Sequence, residues 1–131
     1  MNALAETSGG VYTLDVEEGT IDSFVAGASL EPEPEPSVSL PRVVAAAGAG
    51  STVLAAVDAK PPLYVSHDAG RTWRETGRGL PRGGAVAIAE QDPDLLLFAS
   101  GPRVYFSRDG GRFWHALPLE LPENVVALAW L

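Results

Sequence analysis

The side chains that could carry chemistry in this chain are few and scattered. The two histidines, His67 and His115, match no spacing of metal ligands, and a metal ion needs three or four converging ligands. Asp92 and Asp94 flank a proline, which is ordinary turn composition. No Gly-rich segment follows a strand and opens a helix, which excludes a phosphate-binding loop. We therefore predict neither a metal nor a cofactor.

Two serines open the two copies of an eight-residue stretch. The first copy, Ser-His-Asp-Ala-Gly-Arg-Thr-Trp, covers residues 66–73, and the second, Ser-Arg-Asp-Gly-Gly-Arg-Phe-Trp, covers residues 107–114. The copies lie 41 residues apart. Neither Ser66 nor Ser107 has a suitable base nearby in sequence, so a nucleophilic role is not predicted.

Each copy has the composition of a tight corner between two strands. Apolar runs at residues 63–65 and 104–106 precede the copies and predict strands, and each copy ends on a tryptophan where the next strand begins. The aspartate in each copy can accept hydrogen bonds from backbone N–H groups just downstream. The glycine two residues later falls where a tight turn often needs a positive φ. We interpret both tryptophans as core residues, because a buried tryptophan supplies a large apolar area.

The pattern Ser-x-Asp-x-Gly-x-Thr-Trp resembles the Asp-box, or BNR repeat, of β-propellers such as sialidases, the sortilin luminal domain and photosystem II assembly-factor-like propellers. The resemblance covers residues 41–131. It implies a structural corner between the third and fourth strands of a blade, on the rim and away from the central site. The second copy departs from the pattern, with Phe113 in place of threonine. The structural residues that the resemblance implies are Ser66, Asp68, Gly70, Thr72, Trp73, Ser107, Asp109, Gly111 and Trp114.

A repeat of about 40 residues organises the rest of the chain. Leu-Pro pairs begin at residues 40, 80 and 121, and a segment of small apolar residues follows each pair. Four short strands in ~40 residues is the spacing of a propeller blade. No stretch keeps a helical period for three turns. We predict an all-β fold of propeller-type four-stranded blades, with about two complete blades plus parts of a third.

These signals divide the chain into five segments. We expect residues 1–9 to fray and residues 10–15 and 21–26 to form a hairpin. Alternating Glu and Pro residues then favour an extended linker, or a strap across the surface. The predicted segments are 1–30, acidic with the hairpin; 31–41, linker or strap; 42–81 and 82–122, one blade each; and 123–131, the opening strand of a further or composite blade.

Acidity is confined to the first third of the chain. Residues 1–41 contain eight acidic residues and no lysine or arginine, whereas acids and bases balance over residues 42–131. The absence of a basic footprint argues against nucleic-acid binding. We see no apolar run near 18 residues, no cysteine and no signal peptide, and we predict no membrane span and assign no compartment.

We predict a non-catalytic binding or assembly scaffold. The alternative is a fragment of a sialidase-like glycosidase propeller, or a carbohydrate-binding module. Sialidase-like catalysis requires an arginine cluster, a Tyr–Glu nucleophile pair and an acid at the axis, and most arginines here lie in or after the rim motifs. Enzyme activity is therefore left open, with the balance against it.

The predicted blades are too few to close a propeller ring, which leads to a prediction about assembly. Propellers protect their edges by closing a ring of 4–8 blades. The C-terminal strand can pair with the N-terminal hairpin of its own chain or of a neighbour. We expect a protein partner or a homo-oligomer, with a two-fold dimer that closes a six-bladed ring favoured, and a glycan as a further candidate ligand. The rival interpretation is a piece of a longer propeller.

Overall fold

The computed structural model describes every residue from Met1 to Leu131 and contains twelve β-strands and no helix. No segment is therefore a helix long and apolar enough for a membrane crossing. The all-β prediction is confirmed. The strands are β1 (Asn2–Thr7), β2 (Gly10–Asp15), β3 (Thr20–Ala26), β4 (Val43–Ala49), β5 (Thr52–Val57), β6 (Leu63–Ser66), β7 (Arg74–Thr76), β8 (Ala85–Ile88), β9 (Leu96–Ser100), β10 (Arg103–Ser107), β11 (His115–Ala116) and β12 (Val125–Trp130).

The strands form three four-stranded antiparallel sheets. The first repeat sheet has the order β4-β5-β6-β7, and the second repeat sheet has the order β8-β9-β10-β11. In each repeat sheet, four strands that are consecutive in the sequence pair in order, joined by short turns. These strands are rich in small, β-branched and aromatic residues. The third, named here the terminal sheet, has the order β12-β1-β2-β3 and joins the two ends of the chain.

The terminal sheet corrects the prediction that residues 1–9 fray. β1 is an inner strand that pairs with both β2 and β12. Ala3 and Ala5 are fully buried, and the Leu131 N–H donates to the Asn2 carbonyl at 3.0 Å. The segment is ordered because β12 supplies its second row of hydrogen bonds from the far end of the chain. The C-terminal strand thus pairs within its own chain, and parts of a third blade become a whole four-stranded sheet.

The second repeat sheet lies between the other two and contributes to both hydrophobic cores. Strand alternation sends Leu97, Val104 and Phe106 toward the terminal sheet, and Leu96 and Phe98 toward the first repeat sheet. The partners from the terminal sheet include Ala3, Ala5, Tyr12 and Leu14. The partners from the first repeat sheet include Ala45, Leu54, Ala56, Leu63 and Val65. The other two sheets therefore each have one outer face that no sheet covers.

Residues 27–42, named here the strap, connect β3 of the terminal sheet to β4 of the first repeat sheet and contain no regular structure. The strap is fastened at both ends by backbone hydrogen bonds. The Gly27 N–H donates to the Gly9 carbonyl at 2.9 Å, and the Arg42 carbonyl accepts from the Asp58 N–H at 3.0 Å. Its three prolines between residues 32 and 36 keep the intervening chain extended.

Candidate functional site

The first repeated stretch, residues 66–73, forms a loop from β6 to β7 that is named here the first corner loop. The Ser66 hydroxyl donates to Asp68 Oδ1 at 2.7 Å and accepts the Gly70 N–H at 2.8 Å. Asp68 also accepts the Thr72 hydroxyl at 2.6 Å and the Thr72 N–H at 2.8 Å. These bonds, first of all the one from the Thr72 hydroxyl, hold the pKa of Asp68 far below its usual range.

The second corner loop, residues 107–114, repeats this arrangement between β10 and β11 with one bond fewer. The Ser107 hydroxyl donates to Asp109 Oδ1 at 2.8 Å and accepts the Gly111 N–H at 2.9 Å. The Phe113 N–H donates to Asp109 Oδ1 at 3.0 Å, but Phe113 has no hydroxyl to offer and is exposed. Burial acts to raise the pKa of Asp109, and the hydrogen bonds from Phe113 and Ser107 outweigh it, so that the pKa is lowered overall.

Both corner loops contain two consecutive residues in the left-handed backbone region. Gly70 and Gly111 have φ values of 88° and 91°, and the residues before them, Ala69 and Gly110, have φ values of 60° and 71°. Glycine adopts this conformation without steric cost, whereas the Cβ of Ala69 is strained there. The loops therefore share one backbone shape, which the first loop holds at a higher conformational cost.

The second corner loop also bonds to the neighbouring sheet. The Thr76 hydroxyl, on β7 of the first repeat sheet, donates to the Gly111 carbonyl and accepts the Trp114 Nε1–H at 2.9 Å. Trp114 meets the ring of Phe98 edge-on, with 6.4 Å between ring centroids. Trp73, the counterpart of Trp114, is half-buried at the first corner loop and has no adjacent sheet beyond it.

All nine motif residues predicted from the sequence therefore lie in the corner loops, between the third and fourth strands of the two repeat sheets. Within each loop the structure brings the serine, the aspartate and the glycine together. None of the nine lines the cavities described next, which lie along the first strands of the sheets.

The first strands β4, β8 and β12 lie side by side, with β8 in contact with the other two, and two cavities open beside them. The strap cavity, of about 170 Å³, lies between these strands and strap residues from Leu30 to Glu35. The Trp130 cavity, of about 400 Å³, lies at the ends of β8 and β12. The Trp130 cavity falls within the roughly 300–1,000 Å³ that is typical of small-molecule sites, and the side chains in its wall make it the candidate binding site.

The Trp130 cavity combines an aromatic side chain with polar groups. Apolar residues of β8 and β12 form most of its wall, and Glu33 of the strap, Glu90 and Gln91 add two carboxylates and an amide. The indole Nε1–H of Trp130 is buried and has no hydrogen-bond partner. Buried polar groups are nearly always paired, because leaving one unpaired costs about 1–3 kcal/mol. This donor is the one buried side-chain polar atom in the protein that is left unpaired.

The two histidines lie outside this cavity. His67 Nδ1 lies 3.5 Å from the Thr52 hydroxyl, and the ring of His115 lies over Phe106, with 5.2 Å between centroids. No three His, Cys, Asp or Glu side chains come together as a metal site would require.

Sequence reasoning missed the Trp130 cavity because its residues come from three distant segments. The sequence predicts a strand around Trp130 and a linker or strap around Glu33. The available signal was a tryptophan at the end of a first strand, where the equivalent positions of the repeat sheets carry smaller residues.

Comparison with known proteins shows a likeness of fold. No protein-family model matches the chain, and no curated protein matches it. A solved structure, the GH74 enzyme of Niastella koreensis, matches 95% of this chain with 20% sequence identity and a TM-score of 0.52. GH74 enzymes are a β-propeller family. The match covers 18% of that enzyme's chain. The three sheets are thus consistent with propeller-type blades.

Proposed function

We propose that the chain is a non-catalytic binding or assembly scaffold built from Asp-box propeller blades, and that the Trp130 cavity is its recognition site. One observation carries the proposal: Trp130, whose buried Nε1–H has no hydrogen-bond partner, lines a cavity of ligand-binding size. A ligand that turns the indole toward the cavity and offers this donor an acceptor oxygen would remove the cost of its burial. Glu33, Glu90 and Gln91 add polar groups that would orient such a ligand.

The corner loops fit a structural role in this scaffold. Their serines and aspartates are engaged in hydrogen bonds within the loop, and the second loop also bonds to Thr76 of the adjacent sheet. We propose that they act as Asp-boxes, which fix the outer corners of two blades and leave recognition to the first strands.

The experiment compares Trp130→Phe with Trp73→Phe as a matched control. Wild-type protein and both variants are screened against a glycan array and a peptide-display library, and the ligands that wild type enriches are titrated. We expect Trp130→Phe to weaken binding about two- to tenfold, the equivalent of one neutral hydrogen bond, while Trp73→Phe binds as wild type. Ligands that bind all three proteins equally would refute the assignment of the site.

A glycosidase fragment or carbohydrate-binding module is the second candidate. It is favoured by the likeness to a GH74 enzyme and by two carboxylates, Glu33 and Glu90, in a cavity that also contains a tryptophan. Glycosidases commonly use a pair of carboxylates. Turnover of a fluorogenic glycoside that Glu90→Gln abolishes would establish an enzyme. Glycan binding without turnover would establish the carbohydrate-binding module.

The two-fold dimer that closes a six-bladed ring remains a prediction. Its driving force is the exposure of the outer faces of the first repeat sheet and the terminal sheet. Contacts from the strap reach both faces, at Gly48 and at Glu6. A dimer of this kind therefore requires the strap to leave, so we propose it for a chain whose strap is detached, and light scattering on such a chain tests it.

A further inference from the structure

The outer face of the first repeat sheet is built from smaller residues than its counterpart in the second repeat sheet. The second repeat sheet meets its neighbour through Val86, Ile88, Leu96, Phe98 and Tyr105. Strand register places Ala46, Gly48, Val53, Ala55 and Tyr64 at the equivalent positions of the first repeat sheet. A sheet packed on this outer face would meet alanine where the internal interface has phenylalanine, and glycine where it has isoleucine. Such an interface would contain voids, which are costly in a packed core.

This outer face is nevertheless partly buried, although Gly48 is exposed and Tyr64 is half-buried. Ala55 is fully buried and Ala46 and Val53 are each 8% exposed, although no sheet packs there. The strap supplies a contact: a Cβ placed on Gly48 would lie 3.5 Å from the Cγ of Pro36. The small side chains thus leave room at Gly48 for the proline ring of an extended chain.

The outer face of the terminal sheet differs from the internal interfaces in charge. In the repeat sheets, the rows Ala45-Ala56-Leu63 and Ala85-Ala99-Val104 face the next sheet. The equivalent row of the terminal sheet is Ala127-Glu6-Val11. Glu6 therefore stands where both repeat sheets have alanine. Packing an apolar sheet over Glu6 would bury a carboxylate without a partner, which is strongly unfavourable.

The strap supplies that partner. The Leu30 N–H donates to Glu6 Oε1 at 2.8 Å, which gives the carboxylate a backbone donor that the flat face of a sheet does not offer. Leu30 also lines the strap cavity beside Ala127 and Ala129 of β12. One strap therefore engages both outer faces, at residues 30 and 36, and each face departs from the internal pattern at the point of contact.

We propose that the strap is an intramolecular closing element that crosses the first strands and holds the inner edge of each outer face, at Gly48 and at Glu6, where a neighbouring sheet would pack. A second copy of this chain can pack a sheet against an outer face only after the strap has left that face. The strap and the second copy therefore compete for the same surface, and the state of the strap decides between a monomer and a ring. This inference does not depend on a ligand in the Trp130 cavity.

The main experiment replaces residues 28–40 by Gly and Ser at unchanged length and follows molar mass by light scattering across the micromolar range. We expect wild type to stay monomeric, and the replaced chain to gain mass as its concentration rises. A synthetic peptide of residues 28–41, added in trans, should return the replaced chain to a monomer. The proposal is overturned if wild type is already a dimer, or if the replaced chain is a monomer with the thermal stability of wild type.

A milder pair of variants keeps the test decisive if the replaced chain does not fold. Glu6→Ala restores the alanine of the repeat sheets and removes the acceptor for Leu30, whereas Glu6→Gln keeps an acceptor oxygen. We expect faster hydrogen exchange at the Leu30 amide, and concentration-dependent association, in Glu6→Ala alone. Equal exchange at Leu30 in Glu6→Ala and wild type would show that the strap is not held at this point and would refute the proposal.

Gly48 offers an independent pair. An added Cβ makes only ordinary contact with Pro36 at 3.5 Å, so Gly48→Ala should keep the strap in place. Gly48→Val adds two methyl groups in the same space and should displace Pro36, with association as the readout. If Gly48→Val behaves as Gly48→Ala does, the strap is not held at Gly48 and the proposal fails.

Discussion

Replacing Thr76 with valine tests how the two repeat sheets are held together at their outer edge. The Thr76 hydroxyl donates to the Gly111 carbonyl and accepts the Trp114 Nε1–H, and Thr76 itself is 7% exposed. Valine has the shape of threonine without the hydroxyl, so one substitution leaves two polar groups unpaired. Each costs about 1–3 kcal/mol when buried. Because Trp114 is only half-buried, we expect a loss of about 2–4 kcal/mol in the free energy of unfolding.

Urea denaturation measures this loss, with Thr76→Ser as the matched control. Serine keeps the hydroxyl and loses one methyl group, which should cost about 0.8 kcal/mol. The double variant Thr76→Val/Trp114→Phe removes donor and acceptor together, and its loss should be smaller than the sum of the single losses by at least about 0.5 kcal/mol. The reasoning is refuted if Thr76→Val costs no more than Thr76→Ser, or if the two single losses add.

Two further predictions concern the corner loops. Ala69 and Gly110 share one left-handed backbone conformation, so Ala69→Gly should stabilise the protein by about 0.5–1 kcal/mol and Gly110→Ala should destabilise it by at least as much. Thermal unfolding measures both effects, and equal shifts of the melting temperature in the two variants would contradict the prediction. The pKa values of Asp68 and Asp109 are lower in the folded protein than the ordinary aspartate value of 3.8, so both ionised carboxylates stabilise the fold. This stabilisation is complete above pH 3.8 and is lost as the pH falls through the pKa values of the folded state. Melting temperatures between about pH 2 and 7 should therefore fall more steeply on the acid side in wild type than in Asp68→Asn, and parallel curves would count against this.

The repeat sheets were predictable because their information is local and occurs twice. The apolar run at residues 63–65 lies within β6, and the apolar run at residues 104–106 lies within β10. A strand followed by a turn and a tryptophan within a dozen residues leaves few alternatives, and the second copy confirms the register of the first.

The terminal sheet was harder to predict because its pairing is not local. β1 alternates small and polar residues, such as Ala3, Ala5 and Glu6, and has no strong β-propensity of its own. Its order depends on β12, at the other end of the sequence. The candidate site was missed for the same reason, since Glu33, Glu90 and Trp130 meet only when the strap and two first strands come together.

The pairing of β1 with β12 also sets an order of folding events. Each repeat sheet is complete within about 40 residues, so its contacts close short loops and can form early. The terminal sheet must join residue 3 to residue 130, the longest loop closure in the protein. During synthesis, β1 leaves the ribosome well before β12 and waits for this partner. We expect the two repeat sheets to form the first collapsed intermediate, and the N-terminal strands to dock last.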